Sequence, residues 1–124
     1  MEQKDTYRVI IAGSRSFDDY DLLRRRCDEI LKDRIPSSEI VIVSGTAPGA
    51  DSLGERYARE KGFAVDRRPA DWNTYGKAAG PIRNAEMAQS SDALIAFWDG
   101  RSRGTHHMIT LAGKKSLDVH VIPI

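Results

Sequence analysis

A chain of 124 residues with 40% hydrophobic and 30% charged side chains has the make-up of one globular domain, able to bury a core without disulfides or a structural metal. Nineteen Lys and Arg against 18 Asp and Glu leave a formal charge of +1, which excludes the global basic field behind non-specific nucleic-acid binding. One cysteine, no apolar run of about eighteen residues and no apolar signal core after Met1 argue for a cytoplasmic protein without a membrane partner.

In chain order, Tyr7 to Ala12 reads as a first strand. Tyr20, Leu23, Cys27, Ile30 and Leu31 then recur at helical spacing, with Arg24, Arg25, Asp28 and Lys32 on the opposite face. Cys27 on that apolar face reads as a buried thiol, because no histidine is near it in sequence. Pro36 closes the helix and Ile40 to Val43 forms a β-branched second strand. Thr46 is a candidate cap for a second helix with Pro48 in its first turn, carrying Ala50, Leu53 and Tyr57 and ending at Gly62. Phe63 to Arg67 is a short third strand, followed by a polar loop from Pro69 to Gly80. Pro81 is expected to open a third helix through Ile82, Ala85 and Met87 or Ala88. Strand four is Ala93 to Phe97, helix four runs from about Thr105 to Gly113, and Val119 to Ile122 makes strand five.

This alternation predicts a single α/β domain over residues 1–124, a Rossmann-like three-layer sandwich around a five-stranded parallel sheet of order 3-2-1-4-5. Ligands of such sheets bind beyond the carboxyl ends of the strands, where the order reverses. Three glycine-bearing loops should gather there. Gly13-Ser14-Arg15 follows strand one, Ser44-Gly45 through Gly49-Ala50-Asp51 follows strand two, and Asp99-Gly100-Arg101-Ser102-Arg103-Gly104-Thr105 follows strand four. Each loop alone also reads as ordinary turn and cap chemistry. Their convergence, with arginine in two of them, favours an anion site at helix N-termini.

The loop after strand three is longer than its connection needs. In it, Trp72 or Tyr75 could stack on a base and Asp71 could accept from a ribose hydroxyl, or both aromatics could plug the core edge. Arg83 and Asn84 fall in the expected first turn of helix three, where a cation opposes the helix dipole unless an anion faces it. No P-loop, G-x-G-x-x-G or G-x-S-x-G motif is present. His106-His107 are helical neighbours whose side chains diverge by about 100°, and no companion ligand stands at metal spacing. Neither metal nor cofactor is therefore expected.

Gly13-Ser14-Arg15, Ser44-Gly45 with Gly49-Ala50-Asp51, Pro69-Ala70-Asp71-Trp72, Ala79-Gly80 with Arg83-Asn84 and Met87, and Ala96-Phe97-Trp98-Asp99-Gly100 with Ser102-Arg103-Gly104-Thr105 occur here in order. Together they resemble the YspA-like, YpsA-related branch of the SLOG superfamily, found in bacteria and phages. The resemblance implies a Rossmann-like fold and a nucleotide-ligand site. Relatives in that superfamily include DprA and the LOG phosphoribohydrolases, whose association through helices implies a homodimer as one option. LOG enzymes cleave the N-glycosidic bond of a nucleoside monophosphate with an arginine from R-x-x-x-M and a glutamate from G-G-x-G-T-x-x-E. Arg83 with Met87 matches the first pattern, and Gly104-Thr105 matches part of the second. Met108 stands where the glutamate would be, and a thioether cannot act as a general acid.

The leading expectation is therefore a nucleotide-like small-molecule site. Gly104, Thr105 and the strand-one loop would hold phosphate with Arg15, Arg83 and Arg103, and Asp71 and Trp72 would lie near ribose and base. The alternative is a hydrolase of an N-glycosidic or phosphate-ribose bond, with Arg83, Asp71 and Glu86 as catalytic candidates and Asp51 or Asp99 as other sources of a carboxylate. Single-stranded nucleic-acid binding is a second alternative, against which the near-neutral charge counts.

Overall fold

The computed structural model describes residues 5–124, so the reading of the first residues as lacking a leader lies outside the described part. The strands are β1 (Asp5–Gly13), β2 (Ser38–Ser44), β3 (Ala64–Arg67), β4 (Ala93–Trp98) and β5 (Asp118–Pro123). All are parallel, in the order β3-β2-β1-β4-β5. The longer helices are α1 (Tyr20–Leu31), α2 (Ala50–Lys61), α4 (Ala79–Gln89) and α5 (Arg103–Lys114). A short α3 (Trp72–Tyr75) and a 3-10 turn (Gly76–Ala78) precede α4.

Alternation along the strands builds two cores, one on each face of the sheet. Tyr7, Val9 and Ile11 of β1 turn toward Leu23, Cys27 and Leu31 of α1 and Tyr57 of α2. Ile10, between them in sequence, packs with Leu94, Met87 of α4, and Met108 and Ala112 of α5. Each large aliphatic side chain taken fully out of water contributes about 1.5–3 kcal/mol. The result is a Rossmann-like three-layer sandwich in the expected strand order. Among the described residues, no helix is long and apolar enough to cross a membrane.

Cys27 is buried, and burial pushes its thiol well above the usual range. Three element boundaries differ from expectation. The stretch 72–78 coils into short helical turns, and α4 already begins at Ala79, so Arg83 sits in its second turn. The dipole argument for Arg83 therefore lapses. Thr46 does not cap α2: the helix is capped at Gly49 without a side-chain bond, and Thr46 takes a left-handed φ of 66° in the preceding loop. Helix α5 opens at Arg103, which places Arg103 and Gly104 inside it.

Candidate functional site

The order reverses between β1 and β4, and the loops leaving these strands part there. Two glycines let the backbones meet. A Cβ on Gly13 (φ 156°) would lie 2.2 Å from the Phe97 carbonyl oxygen, and one on Gly49 (φ 79°) 2.3 Å from that of Ser14. The close approach allows Ser14 N–H to donate to Phe97 O at 3.0 Å and Ala50 N–H to donate to Ser14 O at 3.2 Å. Asp99 N–H in turn donates to Ser14 Oγ at 3.3 Å, so one buried serine ties three loops together.

Two cavities open on this edge. The narrow one, about 80 Å³, is lined by Gly13, Arg15, Ala47, Asp51, Arg83, Asn84, Ser102, Gly104 and Thr105, with Ala12, Met87 and Met108 as its apolar lining. The wide one, about 340 Å³, runs from Gly45, Thr46, Ala47 and Pro48 to Pro69, Ala70 and Trp72. Arg15, Ala47 and Arg83 line both and form the neck between them.

Arg83 is anchored rather than ion-paired. Its Nη1 donates to Gly45 O, with a longer contact to Arg68 O at 3.5 Å, and its Nε donates to Asn84 Oδ1 at 3.1 Å. Burial lowers its pKa and neighbouring Arg15 adds to that, while Asp51 opposes both. Asn84 continues the network, donating to Gly104 O at 3.4 Å and meeting His107 Nδ1 at 3.2 Å, which ties α4 to α5. At the start of α5, Ser102 Oγ bonds Thr105 Oγ1 at 3.1 Å instead of capping the backbone. The first-turn N–H groups therefore keep their capacity for an anion.

Asp51 is 6% exposed in the first turn of α2. Its Oδ2 accepts from Ala47 N–H at 3.1 Å. A Cβ on Gly45 would stand 2.8 Å from both this oxygen and Arg83 Nη1, so the missing side chain is what admits both groups. Burial pushes the Asp51 carboxyl up to about 6, against the lowering effects of the Ala47 N–H, Arg83 and Arg15.

The remaining sequence candidates divide cleanly. Ser44 Oγ donates to Glu55 Oε2 at 2.6 Å and accepts from Thr46 N–H, so it shapes its loop. Asp99 accepts from Arg101 and Ser102 N–H, each at 2.8 Å, and these two bonds hold its carboxyl below the usual range. Gly100 provides the left-handed turn inside that loop. Asp71 caps α3 by accepting from Thr74 N–H at 3.1 Å and lines neither cavity. Glu86 and Arg103 are exposed and also line neither. Trp72 lies at the rim of the wide cavity, 52% exposed, and Tyr75 is exposed outside both, so neither aromatic plugs the core.

Sequence reasoning missed Ala47, whose backbone N–H holds Asp51, and Glu55, which accepts from Ser44 and pairs with Arg67 at 3.2 Å. Nothing in an alanine side chain signals such a backbone role. Glu55 was detectable only as the residue one helical turn after Asp51, on the same face.

The chain is 39% identical over 120 residues to the Gene 61 protein of Mycobacterium phage D29, covering 90% of this chain and 93% of that one. Its fold is similar to that of DNA processing protein A (DprA) from Streptococcus pneumoniae, with a TM-score of 0.71 at 19% identity over 97% of this chain. It spans 51% of that DprA chain. A structural-genomics target, TM1055, is similar at TM-score 0.61 and 19% identity, covering 94% of this chain and 72% of that one. The YspA, cpYpsA-related SLOG family matches residues 7–75, and with these loops meeting at the β1–β4 reversal, the chain belongs to that family.

Proposed function

We propose that the protein binds a nucleotide or nucleotide-derived ligand, with a phosphate in the narrow cavity and the nucleoside part in the wide one. The observation that carries this reading is the neck. Arg15 and Arg83 stand at it with no carboxylate within 4.0 Å among the described residues, beside an uncapped helix start. A half-buried guanidinium without a carboxylate in direct contact favours an incoming anion. The wide cavity matches the lower end of small-molecule sites, and Trp72 at its rim offers a stacking face.

Thermal unfolding against nucleoside mono-, di- and triphosphates, NAD, ADP-ribose and cyclic dinucleotides tests it. A ligand at one hundred times its Kd adds about 2.7 kcal/mol, which raises the midpoint by roughly 3–6 °C at this size. A flat panel, with no response to inorganic phosphate either, overturns the reading.

One observation supports hydrolysis as a second reading. Asp51 alone of the four carboxylates considered from sequence lines the narrow cavity, beside Arg83. Release of base or ribose 5-phosphate by the purified protein, lost on Asp51→Asn, is its required result.

A further inference from the structure

A carboxylate is a poor choice for the wall of a cavity that holds only an anion, since the two charges repel. Asp51 nevertheless lines the same narrow cavity as Arg83, close to the neck through its bond to Ala47. Its one hydrogen-bond donor among the described residues is that Ala47 N–H. Arg83, though near, turns its Nη1 and Nε to Gly45 O and Asn84 Oδ1, and no ion pair within 4.0 Å joins it to Asp51. A carboxylate has about four acceptor positions, and those of Asp51 that the protein leaves open face the cavity, where they suit a neutral or cationic donor beside the anion.

Sugar hydroxyls next to a phosphate fit that description. Resting on the nucleotide reading above, we propose that Asp51 is the specificity-determining residue of the site. It accepts hydrogen bonds from ligand hydroxyls at the neck, so the site selects a phosphate carrying a hydroxylated sugar over phosphate alone or over a sugar ring without hydroxyls. The start of α5 then holds the phosphate with Arg83, and Asp51 meets the sugar where the narrow cavity joins the neck at Ala47. The base is left to the wide cavity below Trp72, which packs with its ring 3.4 Å from the Cβ position of Gly80.

Calorimetric titration of the purified protein with inorganic phosphate, ribose 5-phosphate and tetrahydrofurfuryl phosphate, the same ring without hydroxyls, tests this at neutral pH. Ribose 5-phosphate is expected to bind roughly tenfold or more tightly than the stripped ring, as for hydrogen bonds to a charged acceptor. Asp51→Asn should erase that preference and leave phosphate binding equal or tighter. Asparagine keeps the Ala47 bond through its amide oxygen, so a residue that only holds the loop would leave the preference intact. Equal binding of the two ring phosphates to the native protein overturns the inference without any variant having to fold, and so does a preference that survives Asp51→Asn. Phosphate binding with no sugar preference leaves the nucleotide reading standing. Failure of all three probes overturns the inference, and together with a flat nucleotide panel it overturns both.

Discussion

The charged side chains of the α1–α2 face and those of the site edge behave in opposite ways. On the helices, Arg24 reaches Asp21 at 2.8 Å, Arg56 reaches Glu60 at 2.9 Å and Lys61 reaches Asp28 at 2.9 Å. Arg56 also lies 3.8 Å over the Tyr20 ring. At the site edge, Arg15, Arg83, Arg101 and Arg103 have no carboxylate within 4.0 Å among the described residues, although Asp51 and Asp99 lie close by in the fold. Those two carboxylates take backbone N–H groups instead. Paired surface cations contribute little to stability. At the site edge the cations, one of them half-buried, are instead kept from the carboxylates nearest to them.

The comparison is broken most directly at its backbone. Gly49→Ala puts a Cβ 2.3 Å from Ser14 O at a φ of 79° and should cost about 2–4 kcal/mol in denaturant unfolding. An unchanged midpoint would show that the β1 and β2 loops can part without loss. Next in size, Arg83→Ala should weaken the best nucleotide of the thermal panel roughly tenfold to a hundredfold, the loss expected for a charge-assisted bond. Titration calorimetry reads it, and Arg103→Ala, outside both cavities, should have the smaller effect.

Asp51→Asn sharpens the contrast through pH. The folded carboxyl titrates at about 6 against an ordinary value of 3.8, so the native state holds its proton more tightly than the unfolded chain. Stability contributed by that proton is fully present below about pH 4 and is lost as pH rises through about 6. The groups setting this balance are Arg83 from α4, Arg15 from the β1 loop, and Glu55 on the same helix. The asparagine variant should be more stable than the native protein by about 3 kcal/mol near pH 7.5, with the gain vanishing near pH 4. Melting curves at the two pH values decide it. Smallest of all, Arg56→Ala should cost about 1 kcal/mol or less, with the difference reduced in high salt and nucleotide affinity unchanged.

The sheet order and both cores were legible because parallel strands need crossovers and each strand alternates faces. The site edge was legible as three glycine-bearing loops, and Arg15, Asp51, Arg83, Asn84, Ser102, Gly104 and Thr105 do line one cavity. Sequence could not separate residues that line the cavity from residues that shape its loops. Ser14, Ser44 and Asp99 look like binding groups in the chain, yet their side-chain oxygens serve neighbouring backbone or, for Ser44, Glu55. Asp71, expected near a ribose, caps α3 through Oδ1, a role the sequence hides because that helix is too short to leave a periodic pattern. Met108 was visible as the wrong residue for a general acid, and it is a buried wall of the narrow cavity.

The segment that carries Trp72 to the rim of the wide cavity is built unlike the rest of the site edge. Every residue from Asp71 to Ala78 is exposed, and none of them belongs to either hydrophobic core. The narrow cavity is walled by loops locked together after β1, β2 and β4, whereas this segment lies in the chain between β3 and α4. Substitutions there escape the packing penalties that constrain the rest of the domain. On the proposed reading, the part of the site facing the nucleoside can therefore change with little cost to the fold, while the part facing the phosphate cannot.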